Sequence, residues 1–243
     1  MQTSANPAFG DKAVKRAKKD MSSAGVMTVN GTLAKTFLLF ILFVSAATFA
    51  WVSLSNSADY IWPMIIGASM IALVTAIIIM FKSPTPLLSI IYSLAQGVAI
   101  GAISYNYADA YDGIVAQAVL LTVGITLGMY LAYATGFIKV TEKLKSVIII
   151  GMLGVMFYYG IVFLLSLFGV NMTSLFSGTT GVVIGALIVV IAALNYLLDF
   201  DFIEKSAKSK APKQFEWYGA FGLMVTFIWL YISVLQMLGA SRR

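Results

Sequence analysis

Acidic side chains cluster in one short stretch near the end of the chain, and this stretch holds the clearest candidate chemistry. It reads Ala-Leu-Asn-Tyr-Leu-Leu-Asp-Phe-Asp-Phe-Ile-Glu over residues 193–204. A carboxylate can hold a proton or contact a cation, but an ionised carboxylate in an apolar setting is costly. On a helix, Asn195 and Asp199 share one face, whereas Asp201 points elsewhere. We therefore expect Asp199 to be a proton sensor, with Asn195 beside it on one polar stripe of the helix.

Composition narrows the chemistry that the rest of the chain can support. The 243 residues are 60% hydrophobic and 11% charged, with no cysteine and no histidine. A soluble domain has roughly 45–50% apolar and about 25% charged residues, so that class is excluded. The missing thiols and imidazoles exclude disulfides, thiolate or histidine metal sites and Ser-His catalysis. No nucleophile and base can be paired, and we expect neither an enzyme nor a bound cofactor.

The elements that position these acids are long apolar runs. Seven runs of the chain could cross a bilayer as helices, because about 20 apolar residues span a hydrocarbon core of about 30 Å. We predict an all-α, polytopic membrane protein whose helices form one bundle at 31–240, preceded by a basic cytoplasmic tail at 1–30. The predicted spans are approximately Leu33–Leu54, Tyr60–Phe81, Pro86–Asn106, Gly113–Phe137, Lys145–Phe168, Thr180–Ile203 and Phe215–Leu238.

Basic residues give this bundle a direction. All but two of the 16 Lys and Arg residues precede the first span, open it, or lie in the loops that share its side of the membrane. Positively charged loops stay in the cytoplasm, which places the amino terminus inside and the carboxyl terminus outside. The membrane that we expect is a bacterial inner membrane. The net charge of +6 then reports topology rather than nucleic-acid binding. Asp201, Glu204 and Glu216 become an inner rim, where solvated pairing with lysines explains the first two.

Several segments, in this order and spacing, resemble the Bax inhibitor-1 family (TMBIM-type proteins), in particular its bacterial branch. The resemblance covers about Met27 to Leu238 and agrees with seven spans and a cytoplasmic amino terminus. It is carried by Thr28-Val-Asn-Gly-Thr32, Gln96-Gly-Val-Ala-Ile-Gly-Ala-Ile-Ser104, Gly136-Phe-Ile-Lys-Val-Thr-Glu-Lys143, Leu194-Asn-Tyr-Leu-Leu-Asp-Phe-Asp-Phe-Ile-Glu204 and Glu216-Trp-Tyr-Gly-Ala-Phe-Gly-Leu223.

The resemblance implies six helices around a central one and a pH-sensitive calcium leak. In that family an aspartate pair, one in each of the last two spans, is proposed to share a proton and gate the path. Asp199 matches the first aspartate, but the best register places Thr226 at the second and a shifted one places Ser233. Span three carries Gln96 where the family often has glutamate. We therefore predict a weak or differently gated cation leak, with Ca²⁺ as the transported ion. The Ca²⁺ ion would contact Asp199 and Asp201 only transiently, and we predict no firm metal site.

Two further functions stay open beside the channel. A regulatory membrane protein that conducts nothing would bind a membrane protease or another membrane complex. A small-molecule transporter would need a midplane site, and no charged group is available there to anchor a substrate. We expect the bilayer and other membrane proteins as partners and no nucleic acid, with the oligomeric state open. Glycines four residues apart predict close helix packing at Gly97/Gly101, Gly124/Gly128 and Gly181/Gly185.

Overall fold

The computed structural model describes residues 25–82, 85–170 and 176–242 of the chain. Residues 1–24 of the predicted basic tail lie outside the described residues. A short 3-10 turn, Ala58–Tyr60, joins the first two α-helices, and the described residues contain no β-strand. Seven α-helices fall within the described ranges: α1 Val29–Asn56, α2 Ile61–Phe81, α3 Pro86–Ala110, α4 Ile114–Ala134, α5 Glu142–Leu167, α6 Gly178–Lys208 and α7 Phe215–Ser241.

All seven described helices are long and apolar enough to cross a membrane, which confirms the predicted all-helical, multi-pass architecture. Their ends differ from the apolar runs because hydrogen bonding, rather than hydropathy, sets where a helix stops. The helix α1 begins at Val29, before the predicted Leu33, since the Thr28 hydroxyl accepts a hydrogen bond from the backbone N–H of Gly31 at 2.9 Å. At its carboxyl end, the helix α6 continues past the predicted Ile203 to Lys208.

Burial differs sharply between the helices. Only 6% of the most apolar stretch of α5 is buried within the protein, against 61% of that of α7. Large apolar side chains of α5 such as Phe157, Phe163 and Leu164 are exposed. Their exposure in water would be costly, at roughly 25 cal/mol per Å² of apolar surface. Helices of this kind imply a lipid bilayer environment, in which acyl chains cover these side chains.

The described residues divide into two compact units. The first unit comprises the residues up to Asn106 together with Asp199–Ile228. The second unit comprises Tyr107–Leu198 together with the residues from Trp229 onward. The helices α6 and α7 each contribute to both units. The acidic stretch 193–204 is therefore divided, with Asp199 in the first unit.

Glycines allow close helix approach at some of the predicted positions. In the first unit, a methyl group on Gly101 of α3 would lie 2.8 Å from the Cα of Ala47 in α1. In the second unit, one on Gly185 of α6 would lie 3.0 Å from the Cβ of Met237 in α7. A methyl group on Gly124, by contrast, would meet no described atom within 4 Å. The packing prediction is confirmed for Gly97/Gly101 and Gly181/Gly185, and it is wrong for Gly124/Gly128.

The segment 25–27, which we call the amino-terminal strap, pairs with the loop between α6 and α7. The backbone N–H of Met27 donates to the carbonyl of Ala211 at 2.7 Å, and that of Lys213 donates to the carbonyl of Gly25 at 2.8 Å. Between them Val26 and Pro212 form an isolated antiparallel bridge. The strap therefore fixes the entrance to α1 against the turn that precedes α7.

Candidate functional site

The most buried carboxylate on α6 has a hydroxyl partner on α7. Asp199 is 1% exposed and Thr226 is also 1% exposed. The Oγ1 of Thr226 donates a hydrogen bond to Oδ2 of Asp199 at 2.5 Å, a contact within the first unit. We call this contact the Asp199–Thr226 pair. The sequence allowed either Thr226 or Ser233 opposite Asp199, and in the structure the partner is Thr226.

The geometry of the Asp199–Thr226 pair has a definite chemical meaning. A hydrogen bond from a hydroxyl to a carboxylate oxygen is typically 2.5–2.7 Å long, shorter than one between neutral groups. An ionised carboxylate only accepts hydrogen bonds, whereas a protonated one also donates. Threonine supplies a donor without adding a second charge. The pair can therefore hold one exchangeable proton, and that proton belongs to Asp199.

Asn195, predicted beside Asp199, and the polar residues Ser233 and Gln96 lie in different surroundings. Asn195, one helical turn before Asp199, is buried, as is Ser233. The Ser233 hydroxyl donates to the carbonyl of Trp229 in its own helix at 2.8 Å, a local hydrogen bond. On α3, Gln96 is half-buried and is hydrogen-bonded to the side chain of Tyr92.

The predicted inner rim contains two kinds of acid. The Nζ of Lys205 lies 2.6 Å from Oδ2 of Asp201, and the Nζ of Lys208 lies 2.5 Å from Oε1 of Glu204. Both contacts join residues four apart on one helix, as the spacing predicts. Glu204 and Lys208 are largely exposed, so their interaction is screened by solvent and contributes little to stability.

Glu216 belongs to the second kind, because it is buried. It lies in the first turn of α7, and only 2% of its side chain is exposed. Its Oε1 accepts hydrogen bonds from the backbone N–H and the hydroxyl of Thr28, both at 3.0 Å. Its Oε2 pairs with the ammonium of Lys35, which also lies 5.4 Å from the ring centroid of Trp217. We call these residues the Glu216 cluster; it ties α7 to the start of α1.

Sequence reasoning identified Glu216 only as a rim residue and Lys35 only as a topological charge. The one available signal was that both residues fall at the same predicted membrane face. Nothing in the spacing of residues 181 positions apart indicates a contact between them. The position of Glu216 in the first turn of α7 is itself favourable, because the helix dipole stabilises a carboxylate at a helix amino terminus.

The described residues contain no group of three or more acidic side chains that could hold a metal ion. Calcium prefers six to eight oxygen ligands, which the Asp199–Thr226 pair does not supply. The carboxylate of Asp201 is engaged by Lys205. The described residues of this site therefore offer no set of ligands for a firmly bound Ca²⁺ ion.

Comparison with known proteins adds one match. The model of a protein family described as Bax inhibitor 1 like matches residues 6–243 of the chain. The matched range contains all seven described helices and the Asp199–Thr226 pair. No curated protein matches the chain.

Proposed function

The chain belongs to the Bax inhibitor 1 like family, and from that premise we propose that it is a pH-sensitive leak channel for Ca²⁺ or other cations. Its place is a bacterial inner membrane, with the amino terminus in the cytoplasm. The charge asymmetry of the loops supports this orientation. The observation that carries the proposal is the Asp199–Thr226 pair, a single buried carboxylate whose hydrogen bond connects two membrane-spanning helices.

The pair acts as a latch between α6 and α7. With Asp199 ionised, the Thr226 hydroxyl donates to a charged acceptor, and such bonds contribute about 1.5–3 kcal/mol against about 0.5–1.5 kcal/mol between neutral groups. Protonation removes the charge and weakens the latch by about 1 kcal/mol. Because 1.4 kcal/mol corresponds to a tenfold change in an equilibrium constant, the ratio of open to closed channel rises about fivefold.

The absence of a second carboxylate in the pair shapes the pH response. Two close carboxylates titrate as a coupled unit with two macroscopic steps. Asp199 is paired with a hydroxyl, which carries no competing charge. Cation flux is therefore expected to follow a single-proton titration curve, with no second step.

Flux from liposomes tests the proposal. The full chain is reconstituted with a calcium indicator or a monovalent-cation indicator inside, and flux is measured between about pH 5 and pH 8, a range in which most proteins stay folded. We expect pH-dependent flux that becomes pH-independent in Asp199→Asn. The matched control is Asp201→Asn, which lies on the same helix and is paired with Lys205; it should keep the wild-type pH profile.

Two outcomes would overturn different parts of the proposal. Absence of cation flux at every pH removes the channel. Flux that keeps its pH dependence in Asp199→Asn removes the sensor assignment and leaves the channel.

A regulatory protein that conducts no ions is the second candidate. One observation favours it: the described residues bring no three acids together, so the path offers a divalent cation few anionic ligands. In that case α5, with its exposed apolar side chains, is available to a membrane protease or another membrane complex. Purification from native membranes should then yield a stoichiometric protein companion. Liposomes that contain the purified chain should show no cation flux.

A further inference from the structure

The second unit contains a cavity with a volume of about 270 Å³, and four of the described residues that line it are aromatic. The rings of Tyr107, Tyr158, Tyr159 and Phe176 line it, together with the amide of Gln236. None of the described residues that line the cavity carries a charge. The volume lies near the lower end of ligand sites, which are typically about 300–1,000 Å³. A group of head-group size therefore fits.

The rings stand at angles to one another. The ring centroids of Tyr158 and Tyr159 are 5.3 Å apart with an interplanar angle of 65°, and those of Tyr158 and Phe176 are 6.1 Å apart at 59°. The rings are not stacked face to face, and all three residues line the same cavity, so part of their aromatic surface is left to contact a ligand. The Tyr159 hydroxyl donates to Oε1 of Gln236 at 3.0 Å, which holds this wall in place.

The chemistry of these walls selects a class of ligand. The face of an aromatic ring is electron-rich and attracts a cation, most strongly when the site is desolvated. A divalent metal cation favours carboxylate ligands, and an anion would need a positive group; the described lining holds neither kind of side chain. A quaternary ammonium group spreads its charge over methyl groups and gives up little hydration. We propose that this cavity, which we call the aromatic cage, binds a quaternary ammonium group.

Two sources carry this chemistry: a free organic cation of the choline type and the head group of a choline phospholipid. Both would present the same trimethylammonium end to the aromatic cage. This proposal does not depend on the proposed channel, because binding is measured without flux.

Calorimetric titration of the full chain in a maltoside detergent tests it. The probe is tetramethylammonium chloride, and the matched uncharged probe is tert-butanol, which has a similar shape. Cation–π attraction in a desolvated site is about 2 kcal/mol, and 1.4 kcal/mol is tenfold in Kd, so the cation should bind at least about tenfold more tightly. Equal binding of the two probes, or no saturable binding of tetramethylammonium, overturns the proposal.

Variants assign the binding to the rings. Tyr158→Leu and Phe176→Leu should each weaken tetramethylammonium binding about tenfold. Tyr158→Phe keeps the ring and should bind within about twofold of wild type, since the Tyr158 hydroxyl is buried and makes no hydrogen bond within the described residues. Phe157→Leu, the next position along and 63% exposed, is the matched control. Wild-type binding by both leucine variants at Tyr158 and Phe176 overturns the assignment.

Lipid composition separates the two sources. In nanodiscs of phosphatidylcholine, a lipid head group would compete with added tetramethylammonium and raise its apparent Kd relative to nanodiscs of phosphatidylethanolamine. Equal Kd values in the two lipids would support a free cation as the ligand.

Discussion

Removal of the charge on Glu216 is expected to destabilise the protein far more than removal of the charge on Glu204. The side chain of Glu216 is 2% exposed, and its carboxylate accepts two hydrogen bonds from Thr28 and pairs with Lys35. The substitution Glu216→Gln preserves the size of the side chain and one acceptor for Thr28. It leaves the ammonium of Lys35, which is only 18% exposed, without its counter-charge.

The magnitude follows from burial. Breaking a buried ion pair on one side typically costs about 3–5 kcal/mol, because the remaining charge is left uncompensated. Lys35 retains some access to solvent, which places the expected loss at the lower end, about 3 kcal/mol. For a chain of this size, 1 kcal/mol corresponds to about 2–4 °C, so Tm should fall by about 6–12 °C.

Thermal unfolding of the purified protein in detergent measures this difference. The matched control is Glu204→Gln, which breaks a pair whose side chains are 42% and 73% exposed. Exposed pairs contribute about 0–1 kcal/mol, so Tm should change by less than about 4 °C. Adding Lys35→Met to Glu216→Gln removes the stranded charge and should recover part of the loss. If Glu216→Gln and Glu204→Gln shift Tm equally, the Glu216 cluster does not stabilise the fold in the way described.

Two further predictions concern topology and packing. The chain has no cysteine, so the labelling of a single introduced cysteine reports on which side of the membrane it lies. An impermeant maleimide should label Ser209→Cys only from the cytoplasmic side and Asp112→Cys only from the outside. The reverse pattern would show that the proposed orientation is inverted. Gly101→Ala should lower the free energy of unfolding by about 1–3 kcal/mol, because its methyl group would press on the backbone of Ala47. Gly124→Ala should leave that free energy unchanged or raise it by up to about 1 kcal/mol, since glycine disfavours helix and no described atom is close; equal effects of the two substitutions would contradict the packing argument.

Hydropathy predicted the architecture because the bilayer imposes it. A span must be long, apolar and internally hydrogen-bonded, so seven runs became seven helices. The exact ends depended on caps such as Thr28, which are local hydrogen bonds that hydropathy does not detect. Helix periodicity also predicted the pairing of Asp201 with Lys205, because those partners lie on the same helix.

Contacts between helices were harder to predict. Glycine spacing was the same at Gly101 and Gly124, yet only Gly101 lies against a neighbouring backbone in the described part of the chain. Glycines four residues apart indicate that one face of a helix lacks side chains, but they do not indicate whether another helix packs against that face. For the same reason the position of Thr226 opposite Asp199 came from a family resemblance, and that of Lys35 beside Glu216 was missed.

The Glu216 cluster joins two segments of the chain that are made at different times during synthesis. Thr28 and its carboxylate partner are separated by 188 positions, and the strap meets its partner loop at Pro212. The ribosome releases the first turn of α1 long before it has made Glu216. The helix α1 thus acquires its buried ion pair only when α7 has been made. A nascent chain interrupted before α7 would therefore carry Lys35 without its counter-charge.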